Sequence, residues 1–145
     1  MSDAACALCT GEGGRLVLRA ARWRVIHAQE PGFPGFYRLV WNEHLPEMSD
    51  LPPAHRQECL EALMVIEQAM RQHLAPDKVN LAAFGNAVPH LHWHLIARYT
   101  WDSHFPGAFW AAPVRPADPA RLEALGARLP GLEDDLRQRL QNLSN

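Results

Sequence analysis

The sequence has little net charge and no block of either sign. Fourteen Lys and Arg stand against sixteen Asp and Glu, a formal charge of −2. A protein that grips duplex nucleic acid needs a basic face to neutralise phosphates, and this balance argues against one. Long hydrophobic runs are lacking too. The longest stretch without charge, Val79 to Ala97, is broken by Asn, Gly, Pro and three His, which excludes a membrane span. The opening residues Met1-Ser2-Asp3-Ala4-Ala5-Cys6 show neither the basic region nor the apolar run of a secretory signal. Cysteine is scarce and odd in number, three in all, unlike the even set of a disulfide framework. A Walker-type Gly-rich loop, a paired-carboxylate pattern and internal repeats are all missing. These absences lead to the expectation of a cytoplasmic protein. With 145 residues and 48% hydrophobic content, the chain can bury one real core.

What is present in excess is histidine, eight residues, beside five Trp and twelve Pro. Leu16-Val17-Leu18 and Trp23 to His27 read as two short strands, and Phe36 to Trp41 as a third. Between them, Glu30-Pro31-Gly32-Phe33-Pro34-Gly35 has the chemistry of a loop. Ser49-Asp50-Leu51-Pro52-Pro53 signals a helix start. Leu60, Leu63, Met64, Met70 and Leu74 then recur at mostly three- and four-residue spacing, predicting one long helix over 53–74. Two more strands are expected over 78–84 and 90–99. A second helical region covers 120–129 and 132–143, with a break at Pro130-Gly131. This order argues an α+β fold with a mainly antiparallel sheet.

The sharpest local signal is Pro89-His90-Leu91-His92-Trp93-His94-Leu95-Ile96. On a strand, His90, His92 and His94 share one face while Leu91, Trp93 and Leu95 fill the other. His90 and His94 would lie roughly 13 Å apart at ~6.6 Å per two residues, too far for one metal ion to collect all three. The row must divide its labour. Imidazoles with pKa near 6.5 can supply a nucleophile and general acids for phosphoryl or nucleotidyl transfer, or two ligands of a catalytic metal. Cys6-Ala7-Leu8-Cys9 points separately to metal or redox chemistry. His55 and His73, on the long helix, are expected to be solvated. Glu133-Asp134-Asp135 is expected to complement a helix dipole and no more. Most of the tryptophans are expected in the core or at a dimer interface.

His90-Leu91-His92-Trp93-His94-Leu95-Ile96 resembles the motif of the histidine triad (HIT) nucleotide hydrolases and transferases. Cys6 and Cys9, His44 after a strand, the long helix, and Gly85-Asn86 leading into the triad are similar to counterparts in bacterial members. The resemblance covers roughly residues 5–110. It implies a HIT-like domain over 1–115, with 116–145 as a helical extension packed on it, and a homodimer. It implies that His92 attacks the α-phosphorus of a nucleoside phosphoester or phosphoramidate, giving a nucleotidyl-histidine that water hydrolyses. The His90 carbonyl would hold the His92 ring, while His94 and Asn86 would contact the phosphate beside His90. A purine nucleotide is the implied ligand, with no cofactor required for catalysis. Cys6, Cys9, His44 and His90 would form a Cys₂His₂ set for a structural zinc ion.

Two departures bear on activity. Phe36 stands where active members carry a fourth His, and Ala87 where they carry a Ser or Thr that donates to the scissile phosphate. Glu30 is the nearest candidate to hold the ribose hydroxyls. The alternatives are a nucleotide-binding protein with weakened catalysis and a metal-dependent hydrolase using the histidine row.

Overall fold

The computed structural model describes residues 3–143. Its centre is a five-stranded, wholly antiparallel sheet built from β1 (Arg15–Arg19), β2 (Trp23–His27), β3 (Phe36–Trp41), β4 (Lys78–Ala82) and β5 (His92–Arg98). The strands lie in the order β1-β2-β3-β5-β4, so the long crossover between β3 and β4 leaves β5 to fill the gap. That crossover is α2 (Pro53–Leu74); a short helix, α1 (Ala7–Thr10), precedes the sheet, and α3 (Pro119–Gly126) and α4 (Leu129–Leu143) follow it.

Alternation divides each strand between the two faces. Val17, Trp23, Val25, Tyr37, Leu39, Leu95 and Ala97 point to one side, where α2 and the C-terminal helices close the main core. The buried stripe of α2 is Cys59, Ala62, Leu63, Ile66, Ala69, Met70 and Leu74. It is therefore rotated from the stripe expected from the large side chains: Leu60 and Met64 are exposed. Small residues at 59, 62 and 69 explain the rotation, because they let the helix approach the sheet closely and leave volume for Leu132, Leu136 and Leu140 of α4. Ala75, in the left-handed conformation at φ 46°, ends α2.

One boundary and the role of one acidic cluster differ from the expectation in ways that matter. The helical break lies at residues 127–128, and Pro130 and Gly131 sit inside the first turn of α4. Proline is tolerated there because that N–H has no intrahelical acceptor in any case. The acidic cluster is no mere dipole partner. Glu133 is buried, taking a two-pronged bond from Arg15 at 2.9 and 2.6 Å and a third from the Tyr37 hydroxyl at 2.9 Å. It thereby fastens α4 to β1 and β3. Asp135 binds His73 at 2.8 Å, so His73, though partly exposed, also joins α2 to α4.

Candidate active site and metal centre

The other sheet face is left uncovered by α2, α3 and α4, with α1 packed on Ile26 and Val40 at one end, and the functional side chains stand on it. β3 contributes Phe36, Arg38 and Val40, directly paired with Ile96, His94 and His92 of β5. His92 and His94 thus share this face, with ring centroids 5.1 Å apart. His90 is not on the strand. Its N–H turns back to the Val88 carbonyl at 2.8 Å, and the ladder starts only at His92. This local turn after Pro89 splits the expected row of three. The His90 ring is buried against the N-terminal Cys6–Cys9 segment and does not line the large cavity that His92 shares with His94.

Hydrogen bonds fix the proton positions on these rings. His92 Nδ1 lies 2.6 Å from the His90 carbonyl oxygen, which can only accept. Nδ1 therefore carries the proton, and Nε2 keeps its lone pair. Burial holds the His92 pKa below its ordinary value, outweighing the carbonyl bond. Burial, with His92 and Arg38 nearby, lowers His94 further, to about 4. Both rings are neutral at pH 7, the nucleophilic form of an imidazole.

A cavity of about 780 Å³ opens beside them, lined by Arg38, Asn86, Ala87, His92 and His94 among others. Phe84, Phe109 and Trp110 separate it from a second cavity of about 350 Å³ that also reaches His94. The aromatic wall is continuous: Phe84 to Trp110 is 5.2 Å, Trp110 to Phe109 5.1 Å and Phe109 to Phe36 4.9 Å between centroids. The loop carrying Phe109 and Trp110 is tied down by a buried Arg98–Asp102 pair at 2.9 Å and by Arg98 donating to the Gly107 carbonyl at 2.8 Å. Phe36 is fully buried, 5.5 Å from the His94 ring. Glu30 is not among the residues lining either cavity.

Sequence reasoning passed over Arg38. It also gave no weight to Phe84, Phe109 and Trp110 as a group. The signal for Arg38 was available: one charged residue inside Phe36-Tyr37-Arg38-Leu39-Val40-Trp41, an otherwise apolar strand. The aromatics come from separate segments, and only the folded chain brings them together.

Behind the triad, the side chains of Cys6, Cys9, His44 and His90 converge, with one potential ligand atom from each lying within 4.8 Å of all the others. Cys6 Sγ and Cys9 Sγ are each 3.5 Å from His90 Nδ1, and Cys9 Sγ is 3.4 Å from His44 Nδ1. A tetrahedral zinc ion with ordinary Zn–S and Zn–N bonds places S and N about 3.6 Å apart, so the set fits that ion. His90 Nε2 donates to the Trp41 carbonyl at 2.6 Å, which leaves Nδ1 unprotonated toward the thiols. His44 Nε2 lies 4.0 Å from the Asp3 carboxylate, near it but beyond hydrogen-bond distance. No other cluster of three or more potential ligands occurs among the described residues.

The HIT domain family model matches residues 13–101. Among solved structures, a histidine triad protein from Bradyrhizobium japonicum superposes with a TM-score of 0.70 at 25% identity, covering 88% of this chain and 90% of its own. One from Marinobacter aquaeolei gives a TM-score of 0.68 at 28% identity, covering 86% and 92%. A zinc-bound histidine triad family protein from Mycobacterium smegmatis shares the fold at 21% identity and a TM-score of 0.55, covering 90% and 96%. No curated protein matches.

Proposed function

The chain belongs to the HIT family, and from that premise we propose that it binds a purine nucleotide and transfers or hydrolyses at the α-phosphate through His92. The observation that carries this reading is the 2.6 Å bond from His92 Nδ1 to the His90 carbonyl, which keeps Nε2 free on a neutral ring at the edge of a cavity. In the first step the Nε2 lone pair attacks phosphorus. The P–N bond forms, the bond to the leaving group breaks, and the leaving amine or alkoxide takes a proton from solvent. In the second step water attacks phosphorus and gives up a proton to solvent, the P–N bond breaks to return neutral His92, and the nucleoside monophosphate departs. Two in-line displacements replace one harder one. His94, with Arg38 donating toward its Nδ1, presents an Nε2–H to the phosphate oxygens, and Asn86 adds a polar contact from the loop before the triad.

The decisive experiment incubates the protein with an adenosine phosphoramidate and looks for a nucleotidyl adduct by intact mass. His92→Gly should abolish the adduct and turnover, and His94→Ala should slow its formation and breakdown. Intact nucleotide binding with neither adduct nor turnover would replace this reading by that of a binding protein. Phe36 and Ala87 favour this second reading, since neither offers the cavity a hydrogen-bond donor from its side chain. The metal-hydrolase alternative has less support, because His92 and His94 converge with no third potential ligand among the described residues.

We further propose that Cys6, Cys9, His44 and His90 hold one structural zinc ion. The ion would fix the N-terminal segment to the loop that carries the His90 carbonyl. The reading of a homodimer and of 116–145 as an extension of a 1–115 domain belongs to the same proposal.

A further inference from the structure

Four arginines, Arg19, Arg24, Arg38 and Arg98, stand on the sheet face that carries His92 and His94, and three of them are engaged, Arg19 through Glu12 and the Asn42 side chain. Arg24 donates to the carbonyls of Leu8, Gly11 and Glu12 and to the Asn42 side chain. Arg98 is paired with Asp102 and also donates to Asn80 and the Gly107 carbonyl. Arg38 is different. Its Nη1 donates to the Gly13 carbonyl at 3.2 Å, and its Nε reaches His94 Nδ1 only at 3.5 Å. Among the described residues, Nη2 has no acceptor and no carboxylate lies within ion-pair distance.

Burial lowers the Arg38 pKa and the field of Glu30, which forms no ion pair with it, opposes that, so its contacts hold the guanidinium in place without pairing its charge. Its carbon sits 5.0 Å from the centre of the Phe36 ring, a cation–π contact. Gly13, which presents the carbonyl, lies at φ 90°, and a Cβ there would come within 2.5 Å of the Leu8 side chain. Arg38 is also the one permanently charged side chain among the described residues lining the 780 Å³ cavity, and no acid lines it. A half-buried charge with spare donors is costly unless something pairs with it. Sites where a chain accepts such a cost are where a ligand is expected to pay it back.

We infer that Arg38 is the anion clamp of this site: its free guanidinium donors grip the non-bridging oxygens of the phosphate that His92 attacks. This rests on the reading of the cavity as a nucleotide site, and it adds a residue from β3 that sits two positions along the same face from Phe36. A fixed positive charge suits a pentavalent transition state, whose oxygens gain negative charge while the neighbouring imidazoles stay neutral. Planarity and several donors suit a phosphate better than a single ammonium does.

The test titrates adenosine, AMP and pyrophosphate by calorimetry into the full chain, the Arg38→Met variant and the Arg38→Lys variant. Tenfold or greater weakening of AMP and pyrophosphate in Arg38→Met, with adenosine unchanged and partial recovery in Arg38→Lys, is the expected result. A smaller salt dependence of AMP binding in Arg38→Met should accompany it. A second arm needs no variant: the Arg38 Nε–H resonance of the native protein should shift with AMP and pyrophosphate and stay still with adenosine. AMP binding that ignores Arg38 in either arm overturns the clamp and leaves the nucleotide reading standing. Arg38-dependent pyrophosphate binding that gains nothing from the nucleoside supports the clamp and removes the nucleotide reading. Failure of the native chain to bind either anion overturns both.

Discussion

Arg38 and His94 face each other across the β3–β5 ladder, with Nε 3.5 Å from Nδ1. The pairing places a permanent cation beside a ring whose pKa burial first, then His92 and Arg38, lower to about 4. Arg38 donates and cannot accept, so it holds His94 in the tautomer that keeps a proton on Nε2. His94, kept neutral, does not repel the guanidinium. Two donors of different character then line one cavity. The Nε2–H is directional and uncharged, while the guanidinium supplies charge without titrating.

Ala87→Ser should raise turnover of an adenosine phosphoramidate. Ala87 is exposed and lines the cavity next to Asn86, so a hydroxyl added there costs little stability, within about 0.5 kcal/mol. A donor gained at the scissile phosphate is worth up to ~10²-fold in rate. Steady-state kinetics beside a thermal melt checks both halves. An unchanged rate would mean that position 87 does not reach the phosphate.

Trp110 should report ligand entry. It is 64% exposed on the wall shared by the two cavities, while Trp23 and Trp41 are buried in the core. AMP binding is expected to change tryptophan emission, and Trp110→Leu should remove most of that change with a small effect on the melting temperature. A full response in the variant would place the reporter elsewhere.

Much of this was legible in the sequence because the signals were periodic or local. Alternation from His92 to Ile96 marks the strand, and Pro52-Pro53 marks the start of α2. The losses have physical causes. His90 left the row because the turn after Pro89 bonds its own backbone to Val88, which no alternation pattern encodes. Leu60 and Met64 looked like core by size, yet small residues decided which face of α2 could approach the sheet. Glu133 resembled a solvated helix charge, since Arg15 and Tyr37 lie 118 and 96 residues away in sequence.

Zinc content should approach one ion per chain in protein purified without chelator, by atomic emission. Cys9→Ser should lower it sharply, since Cys9 Sγ lies within 3.5 Å of both His44 and His90. Removal of the ion should lower the melting temperature. At free zinc a thousandfold above the dissociation constant the lost stabilisation is about 4 kcal/mol. A content near zero in freshly purified protein, with no melting response to added zinc, would discard the site.

Acid stability should fall in two windows, and Glu133→Gln should separate them. Burial lowers the pKa of His92 and His94, so the unfolded chain binds their protons more readily than the folded one. Their contribution is present above about pH 6.5 and is lost as pH falls through that value and toward the lowered ones. Glu133 acts at lower pH. Burial alone would raise its pKa, but the Arg15 and Tyr37 bonds outweigh burial and hold it below the ordinary 4.5. Its stabilisation is complete above that ordinary value and disappears as pH drops through the folded one. Glu133→Gln keeps the shape but gives up the charge. Arg15 is left 43% exposed and can turn to water, so the cost at pH 7 should be modest, about 1–2 kcal/mol. Denaturant unfolding at half-unit steps from pH 7 to 3 should show the variant parallel to the native protein down to about pH 5 and converging on it below. Curves that stay parallel through pH 3 would mean that Glu133 carries no charge-dependent stability, and that α4 is held to the sheet by its leucines alone.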